Sequence, residues 1–299
     1  MLRKLLGVVG VSSLLVIPPL TAASAANLPV KAPPPPPPPM WSWAGFYAGA
    51  NAGWVGQDNS MSNLAIPTPD ATLATLAGVS EGLAALSTGS VPVGHKSGFI
   101  GGAEIGYNNQ IKNQVAGIEA DIQGMSASSS AGSITTPAGG SLVVGVPVPS
   151  TLTGTTDTRW LGTVRGRLGF LPTPTVLVYG TGGLAYGSVT ANTSLSQLGI
   201  GNGFIGNGAG AFSDTRTGWT AGGGVEWRLA EKWTAKLEYL HYDLGTRSLT
   251  WAASTPLASL QFPGLVYQTD VTSVHYQGDI VRVGLNYKFD RGGPVMARH

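Results

Sequence analysis

Polar and apolar residues alternate along repeated stretches of this chain, with the period of two that belongs to a β-strand. Between positions 43 and 289 the alternation recurs in eight segments of at least ten residues each. Such segments predict strands whose two faces meet different surroundings. The segments are 45–54, 98–108, 114–126, 157–170, 175–189, 214–228, 233–247 and 272–289.

The gaps between these segments are alternately short and long. Antiparallel strands with tight turns at one end and long loops at the other form an up-and-down sheet, and transmembrane barrels show this asymmetry across the membrane. We therefore predict an all-β fold, an eight-stranded antiparallel up-and-down transmembrane β-barrel with long extracellular loops and short periplasmic turns. The short gaps are 109–113, 171–174 and 229–232, and the long gaps are 55–97, 127–156, 190–213 and 248–271.

Aromatic residues close the apolar face of most segments, with small or aliphatic residues between them. In the first segment Phe46 and Trp54 stand eight residues apart and therefore point the same way. Eight residues of tilted strand rise roughly 20 Å, which is close to the height of the apolar band of a membrane barrel. The predicted aromatic girdles comprise Phe46, Trp54, Phe99, Tyr107, Trp160, Phe170, Trp219, Trp227, Trp233 and Phe289.

The opposite face of the same segments carries charges in mid-strand. If the apolar face meets lipid, these charges line the interior of the barrel, which eight strands leave just wide enough for side chains. A buried unpaired charge is costly, so we expect the cations to neutralise the carboxylates, with glycines on this face making room. The predicted lumen charge network comprises Glu104, Glu119, Asp121, Arg165, Arg167, Glu226, Lys236, Glu238 and Arg282.

A soluble β-sandwich is the alternative fold, because its strands also alternate. A sandwich would place its aromatic residues in mid-strand, inside the core, rather than at the strand ends. It would also concentrate these charges on the outside of its strands, although only 11% of the chain is charged against about 25% in typical soluble domains. The sequence therefore favours the membrane barrel.

Residues 1–25 are organised like a secretory signal peptide. Arg3 and Lys4 precede an apolar run at 5–17, and the small residues 23–25 offer a cleavage site. That run of 13 residues is too short to span a bilayer as a helix, and no later run is long enough. We expect an exported protein of the outer membrane; a buried N-terminal helix is the alternative.

Seven consecutive prolines at 33–39 follow the predicted signal peptide. Such a run forms an extended polyproline rod of roughly 20 Å. We interpret 26–42 as a proline-rich periplasmic segment that acts as a spacer, with a docking ligand as the alternative. The barrel then occupies 43–289, and 290–299 form a periplasmic C-terminal tail.

The first long gap contains a different periodicity. Leucines recur three and four residues apart within 70–87, and Asp70 is a candidate N-cap, so this stretch predicts a short amphipathic helix on the outer side. A frayed alanine-rich loop is the alternative. The other long gaps are rich in Ser, Thr, Gly and Asn and predict mobile surface loops.

Composition argues against several classes of site. The chain has no cysteine, and without Arg3 and Lys4 it has 15 basic and 15 acidic residues, so it offers no basic surface for nucleic acid. The match to G-x-G-x-x-G at 201–206 lacks the strand and helix that a nucleotide site needs. Glu119 and Asp121 share a face, but neighbouring arginines favour a structural network over acid–base catalysis. We expect no catalytic residues, no cofactor and no metal.

Two stretches carry a family resemblance. "NLPVKAPPPPPPPMWSWAGFYAGANAGW" and the closing "VRVGLNYKF" resemble the small outer-membrane β-barrel proteins of alphaproteobacteria, the porin-family or opacity-like surface proteins with OmpA-type or OmpX-type eight-stranded barrels. The resemblance implies contact with outer-membrane lipid and lipopolysaccharide, and assembly by the barrel-assembly machinery. The last strand resembles the signal read by that machinery, with Arg282, Gly284, Tyr287 and Phe289 at the matching positions. In much of the family this phenylalanine is terminal, whereas ten residues follow Phe289.

The expected function is structural. We predict a non-enzymatic integral outer-membrane β-barrel that contributes to envelope structure and surface display. The alternative is a narrow passive pore for ions or small solutes. An outer-membrane enzyme would need His, Ser and carboxylate residues clustered at the outer rim, a pattern that the sequence does not indicate. Adhesion by the loops and the oligomeric state stay open.

Overall fold

The computed structural model describes residues 41–68, 77–126, 130–136, 149–198, 205–257 and 262–289. The predicted signal peptide, most of the proline-rich segment, Asp70 and the C-terminal tail lie outside these residues. The elements are β1 Gly45–Gln57, β2 Ser60–Pro67, α1 Ala77–Ser87, β3 Gly89–Val91, β4 Lys96–Ile111, β5 Gln114–Met125, β6 Ser130–Thr136, β7 Ser150–Thr173, β8 Val176–Leu198, β9 Ile205–Arg228, β10 Trp233–Leu257 and β11 Phe262–Phe289.

The sheet closes on itself. Hydrogen bonds join the strands in the order β1, β4, β5, β7, β8, β9, β10, β11, and β11 returns to pair with β1 from Phe46↔Phe289 to Gln57↔Gly278. Every pairing along this ring is antiparallel. Closure leaves the ring without an exposed edge along this part of the strands. The predicted all-β antiparallel barrel is confirmed.

Each predicted segment falls within one ring strand, to within one residue at its ends. The number of strands is nevertheless higher than the prediction, because the described residues contain eleven. The additional strands lie in predicted loops: β2 pairs with the first half of β11, β3 pairs with β2, and β6 pairs with β7.

The prediction of mobile loops at the long gaps is wrong for much of their length. Strands β7 to β11 are 23 to 28 residues long and continue well beyond the predicted segments. The period of two persists there, since buried and less buried residues alternate through 150–158 of β7. Many of their outward residues are threonine, serine and asparagine, with few large apolar residues among them, so the sequence there resembles that of loops. The short connections are at 112–113, 174–175 and 229–232, so β4 and β7 also extend into two of the predicted turns.

Helix α1 packs into the half of the barrel that lies far from these short connections. The predicted helix is present over 77–87, and Leu83 and Ala84 are buried. Strand side chains hold its last turn: Gln197 Nε2 donates to the carbonyl of Leu83 at 3.1 Å, and Asn63 Nδ2 donates to that of Ser87 at 3.0 Å. Among the residues described, no helix is long and apolar enough to cross a membrane.

A buried carboxylate lies beside the end of α1. Asp270 is fully buried and accepts hydrogen bonds from Asn63 Nδ2 at 2.7 Å and Gln268 Nε2 at 2.9 Å. Burial raises the pKa of this carboxyl, and the two amide donors offset only part of that effect.

Candidate functional site

The interior of the barrel contains a layer of charged side chains. All nine residues of the predicted lumen network point inward, and each is at most 5% exposed. Strand alternation places them, because each occupies a position whose neighbours along the chain face outward. The layer lies on β4, β5, β7, β9, β10 and β11 and contains Glu104, Glu119, Asp121, Arg165, Arg167, Glu226, Lys236, Glu238 and Arg282.

Arg165 lies at the centre of this layer. Its Nη2 donates to Glu119 Oε1 at 2.5 Å and to Asp121 Oδ2 at 2.8 Å, and its Nη1 donates to Glu238 Oε1 at 3.1 Å. These carboxylates come from β5 and β10, so one guanidinium joins opposite parts of the wall. Charge-assisted bonds of this kind are among the strongest in proteins.

The other cations complete the network. Arg282 Nη2 lies 2.5 Å from Glu238 Oε2 and 2.9 Å from Asp121 Oδ2. Lys236 Nζ lies 2.6 Å from an oxygen of Glu104 and 3.0 Å from one of Glu119. Arg167 Nη2 lies 2.7 Å from Glu226 Oε2, and its Nη1 lies 3.3 Å from Glu119 Oε2. Each of the five carboxylates therefore has a cation within 3 Å.

Two tyrosines belong to the same network, although sequence reasoning did not include them. Tyr47 Oη donates to Glu119 Oε2 at 2.7 Å and accepts from Arg167 Nη1 at 2.9 Å. Tyr179 Oη donates to Glu238 Oε1 at 3.0 Å, and the guanidinium of Arg167 lies 4.0 Å from the centre of the Tyr179 ring. The sequence does contain a signal for Tyr47, because its position between the outward Phe46 and Ala48 points its side chain into the barrel.

Glycines give these long side chains their space. A Cβ added at Gly106 would lie 2.2 Å from Tyr47 Oη, and one at Gly284 would lie 3.0 Å from Lys236 Cε. The interior is therefore filled closely, with the large side chain of one strand lying over a glycine of the next.

Beyond the charged layer, an apolar core fills the half of the barrel that contains α1. It is built from Leu83 of the helix and from inward side chains of the long strands, and Trp251 of β10 and Tyr267 of β11 are among its large members. Tyr267 Oη donates to Gln197 Oε1 at 2.7 Å, which links this core to the residue that holds α1.

A tryptophan pair lies at the opposite end, where the short connections are. Trp43 is 3% exposed and packs against Val115, Leu177 and Tyr179. Its backbone N–H donates to Gln110 Oε1 at 2.7 Å. The Trp41 indole meets Trp43 edge to face and donates to the carbonyl of Glu231 at 2.7 Å. The sequence does not predict this packing, because two tryptophans ahead of a strand show no periodicity.

The outer face of the ring has the opposite character. Eight of the ten predicted girdle residues are between 39% and 59% exposed, whereas Tyr107 and Trp160 are partly buried. Several meet other aromatic rings across strands, as Trp54 and Phe99 do at a centroid distance of 5.8 Å. Between the aromatic ends lie exposed aliphatic residues such as Val283 at 59%. This arrangement, apolar outside and charged inside, is the reverse of a soluble protein.

The four residues of the predicted assembly signal all lie on β11. Arg282 is in the charged layer and Gly284 lies against Lys236, whereas Tyr287 and Phe289 are at the end near the short connections. In the described residues, no group of three or more His, Asp or Glu side chains is arranged to hold a metal ion.

Comparison with known proteins places this arrangement in a family. The 31 kDa outer-membrane immunogenic protein of Brucella melitensis biotype 1 is 36% identical over 279 residues, which cover 90% of this chain and 94% of that protein. The 22 kDa outer membrane protein of Rhizobium leguminosarum bv. viciae is 31% identical over 149 residues, which cover 50% of this chain and 54% of that protein. The crystal structure of Neisserial surface protein A aligns over 82% of this chain and 98% of its own, with 12% identity and a TM-score of 0.31.

A family model described as the outer membrane protein β-barrel domain also matches this chain. This match agrees with the architecture and with the two relatives, which are both named as outer-membrane proteins and both come from alphaproteobacteria. It extends over residues 16–289, from the predicted signal peptide to the last residue of β11. The chain is an outer-membrane protein and belongs to the outer membrane protein β-barrel domain family.

Proposed function

We propose that this protein is a non-enzymatic integral outer-membrane β-barrel that contributes to envelope structure. It displays its extended half, which consists of α1 and the extensions of β7 to β11, at the cell surface. In this proposal the eight ring strands cross the membrane between two aromatic girdles. The short connections, the proline-rich segment and the C-terminal tail then face the periplasm, and α1 and the long strand extensions face the exterior.

The observation that carries this proposal is the filled interior. Side chains close the barrel at three successive levels: the Trp41 and Trp43 pair, the charged layer, and the apolar core around Leu83. A barrel filled in this way supports a structural role, because side chains of the described residues occupy its interior at each of these levels.

Lipid, lipopolysaccharide and the barrel-assembly machinery are the partners that we propose. The exposed aliphatic band between the aromatic ends supports contact with lipid. Arg282, Gly284, Tyr287 and Phe289 are proposed as the assembly signal. For catalysis the charged layer offers no free base, since each carboxylate already binds a cation.

The passive pore is tested by conductance. We expect the refolded full-length mature protein to give no stable single-channel currents in planar bilayers, because buried ion pairs occupy the interior. The matched control is the same protein after mock refolding without detergent exchange, which sets the background. Reproducible discrete currents above that background would replace the structural proposal with the pore.

The orientation is tested by cysteine labelling. Because the native chain contains no cysteine, only the introduced residue can react with the reagent. We expect a membrane-impermeant maleimide to label Ser196→Cys on intact cells, since Ser196 is exposed on the extension of β8. Glu231→Cys, in the short connection between β9 and β10, should react only after the outer membrane is permeabilised. Labelling of Glu231→Cys alone on intact cells would reverse the proposed orientation.

A further inference from the structure

Two amide side chains join the end of helix α1 to a buried carboxylate. Asn63 Nδ2 donates to Asp270 Oδ1 at 2.7 Å and to the carbonyl of Ser87 at 3.0 Å. Gln268 Nε2 donates to Asp270 Oδ2 and to Ser87 Oγ, both at 2.9 Å. An amide nitrogen carries two hydrogens, so each amide uses one on the carboxylate and one on the helix. Asp270 and the last residue of α1 therefore share both donors.

A chain of hydrogen bonds fixes the orientation of Asn63 in this bridge. Trp251 Nε1 donates to Thr272 Oγ1 at 2.9 Å, and Thr272 Oγ1 donates to Asn63 Oδ1 at 2.7 Å. An indole N–H can only donate, which sets the direction of the whole chain. Because Oδ1 is the acceptor at its end, Nδ2 is the atom that faces Asp270 and Ser87.

The charge of Asp270 has no counter-ion in the part of the chain that the structure describes. Each carboxylate of the charged layer, by contrast, has a cation within 3 Å. The cross-strand neighbours of Asp270 are Ala65 of β2 and Trp251 of β10, neither of which is ionisable. Tyr267 is a nearby ionisable group on β11, and burial together with the charge of Asp270 raises its pKa. Asp270 is therefore a buried acid without electrostatic compensation.

The end of α1 adds to the cost of ionising Asp270. The last carbonyls of an α-helix carry partial negative charge, so a carboxylate beside them is unfavourable. Burial without a cation also disfavours the ionised form and raises the pKa of Asp270. Both penalties are relieved when α1 moves away, because water then replaces the helix end beside the carboxylate.

Gln268 provides an acceptor for a proton on Asp270. Its Oε1 is buried and has no hydrogen-bond partner among the described residues. If the amide turns over, Oε1 takes the position of Nε2, at 2.9 Å from Asp270 Oδ2 and from Ser87 Oγ. There it accepts from the protonated acid and from the Ser87 hydroxyl, since a carbonyl oxygen has two lone pairs. The neutral acid thus stays bonded to α1 without leaving a charge in the interior.

We propose that Asp270 is a pH-sensitive latch, which holds α1 in the barrel when it is protonated and weakens the attachment when it is ionised. Release of α1 uncovers the apolar core to which Leu83 belongs. The charged layer and the tryptophan pair still fill the rest of the barrel, so release opens a pocket and not a channel. The proposed function enters only through the orientation, which exposes this end of the barrel to the external medium.

The effect of pH on the latch has a definite sign. The pKa of Asp270 is higher with α1 docked than with α1 released, so docking is strongest in acid, where both states are protonated. Docking weakens as the pH rises from the ordinary value of about 3.9 through the raised pKa of the docked state, and it is constant above that. One proton changes the docking equilibrium by at most about tenfold per pH unit.

Cysteine accessibility in the refolded full-length mature protein tests the latch. Ala84 is buried and Ala85 is exposed on the same helix, so Ala84→Cys reports release and Ala85→Cys corrects for the pH dependence of thiol reactivity. The reagent is a dipyridyl disulfide, which also reacts with thiols in acid, applied from about pH 4 to about pH 8. Both cysteines are placed in wild type, in Asp270→Asn and in Glu81→Gln. Glu81 is the one ionisable residue of α1, six positions before Ser87, and serves as the control.

Protection is the reaction rate of Ala85→Cys divided by that of Ala84→Cys. We expect it to fall with rising pH by up to about tenfold per unit and then to level off. Asp270→Asn should keep the high protection of acid at every pH, because asparagine is neutral and its Nδ2 can donate to the turned Gln268. Glu81→Gln should follow the wild type. Heat-modifiable migration on gels selects the folded fraction of each variant.

Three outcomes would overturn the latch. They are a wild-type protection that does not change with pH, a fall that persists in Asp270→Asn, and a fall that is lost in Glu81→Gln. The first of these needs no substitution at Asp270, so the proposal stays testable even if that variant does not fold. None of them changes the results expected for orientation or conductance, so failure of the latch and failure of the proposed function are distinguishable.

Discussion

Replacing Arg165 by alanine is expected to lower the free energy of unfolding of the barrel by about 3–5 kcal/mol, the usual result of removing one partner from a buried ion network. The substitution leaves Glu119, Asp121 and Glu238 close together in the interior. Glu119 and Asp121 each lose their shortest ion pair, and Glu238 loses its second shortest. Urea unfolding of the refolded protein, followed by tryptophan fluorescence, measures the change.

The matched control for this prediction is Arg159→Ala on the same strand. Arg159 has the same side chain and also pairs with an aspartate, but its side chain is 75% exposed. An exposed pair contributes about 0–1 kcal/mol, so this variant should unfold nearly as the wild type does. Equal losses in the two variants would show that the charged layer is not what holds the strands together.

Introducing a lysine at Val164 is expected to destabilise the barrel in a bilayer by about 2–4 kcal/mol, the cost of placing a cation on the lipid face near the membrane centre. Val164 is 50% exposed and lies on β7 between Trp160 and Phe170, the two predicted girdle residues of that strand. Reversible unfolding from lipid vesicles into urea gives the difference in free energy.

Ser196→Lys provides the control, because Ser196 also points outward but lies on the extension of β8 beyond the ring's aromatic band. A lysine in water costs little, so we expect a change within about 1 kcal/mol. If Val164→Lys were as stable as Ser196→Lys in vesicles, this face of β7 would not be in contact with lipid.

Alternation alone identified the ring strands, because a period of two with one apolar face is a local property of the sequence. The extensions of the same strands were missed for an equally physical reason. Beyond the aromatic band an outward position needs no apolar residue, so Thr151, Thr153 and Thr155 occupy these positions in β7, and threonine is also common in loops. The strands β2 and β6 are held by pairing to β11 and β7, and β3 by pairing to β2, partners that local sequence does not reveal.

The sequence predicts which residues line the interior, but it does not predict which of them contact one another. Residue parity placed Glu119, Arg165 and Glu238 on the inward face, yet parity says nothing about which strands lie opposite one another. Ring closure decides that Arg165 of β7 reaches Glu238 of β10, which is 73 residues further along the chain. The same holds for Trp43, which is buried only because the wall around it is complete.

By itself, the sequence determined which residues face outward and which face inward, since this follows from the spacing of side chains along one strand. Only the tertiary structure decided which carboxylate meets which cation and where α1 lies. These features depend on which strands become neighbours and on their register, which join residues far apart in the chain and which no local pattern encodes.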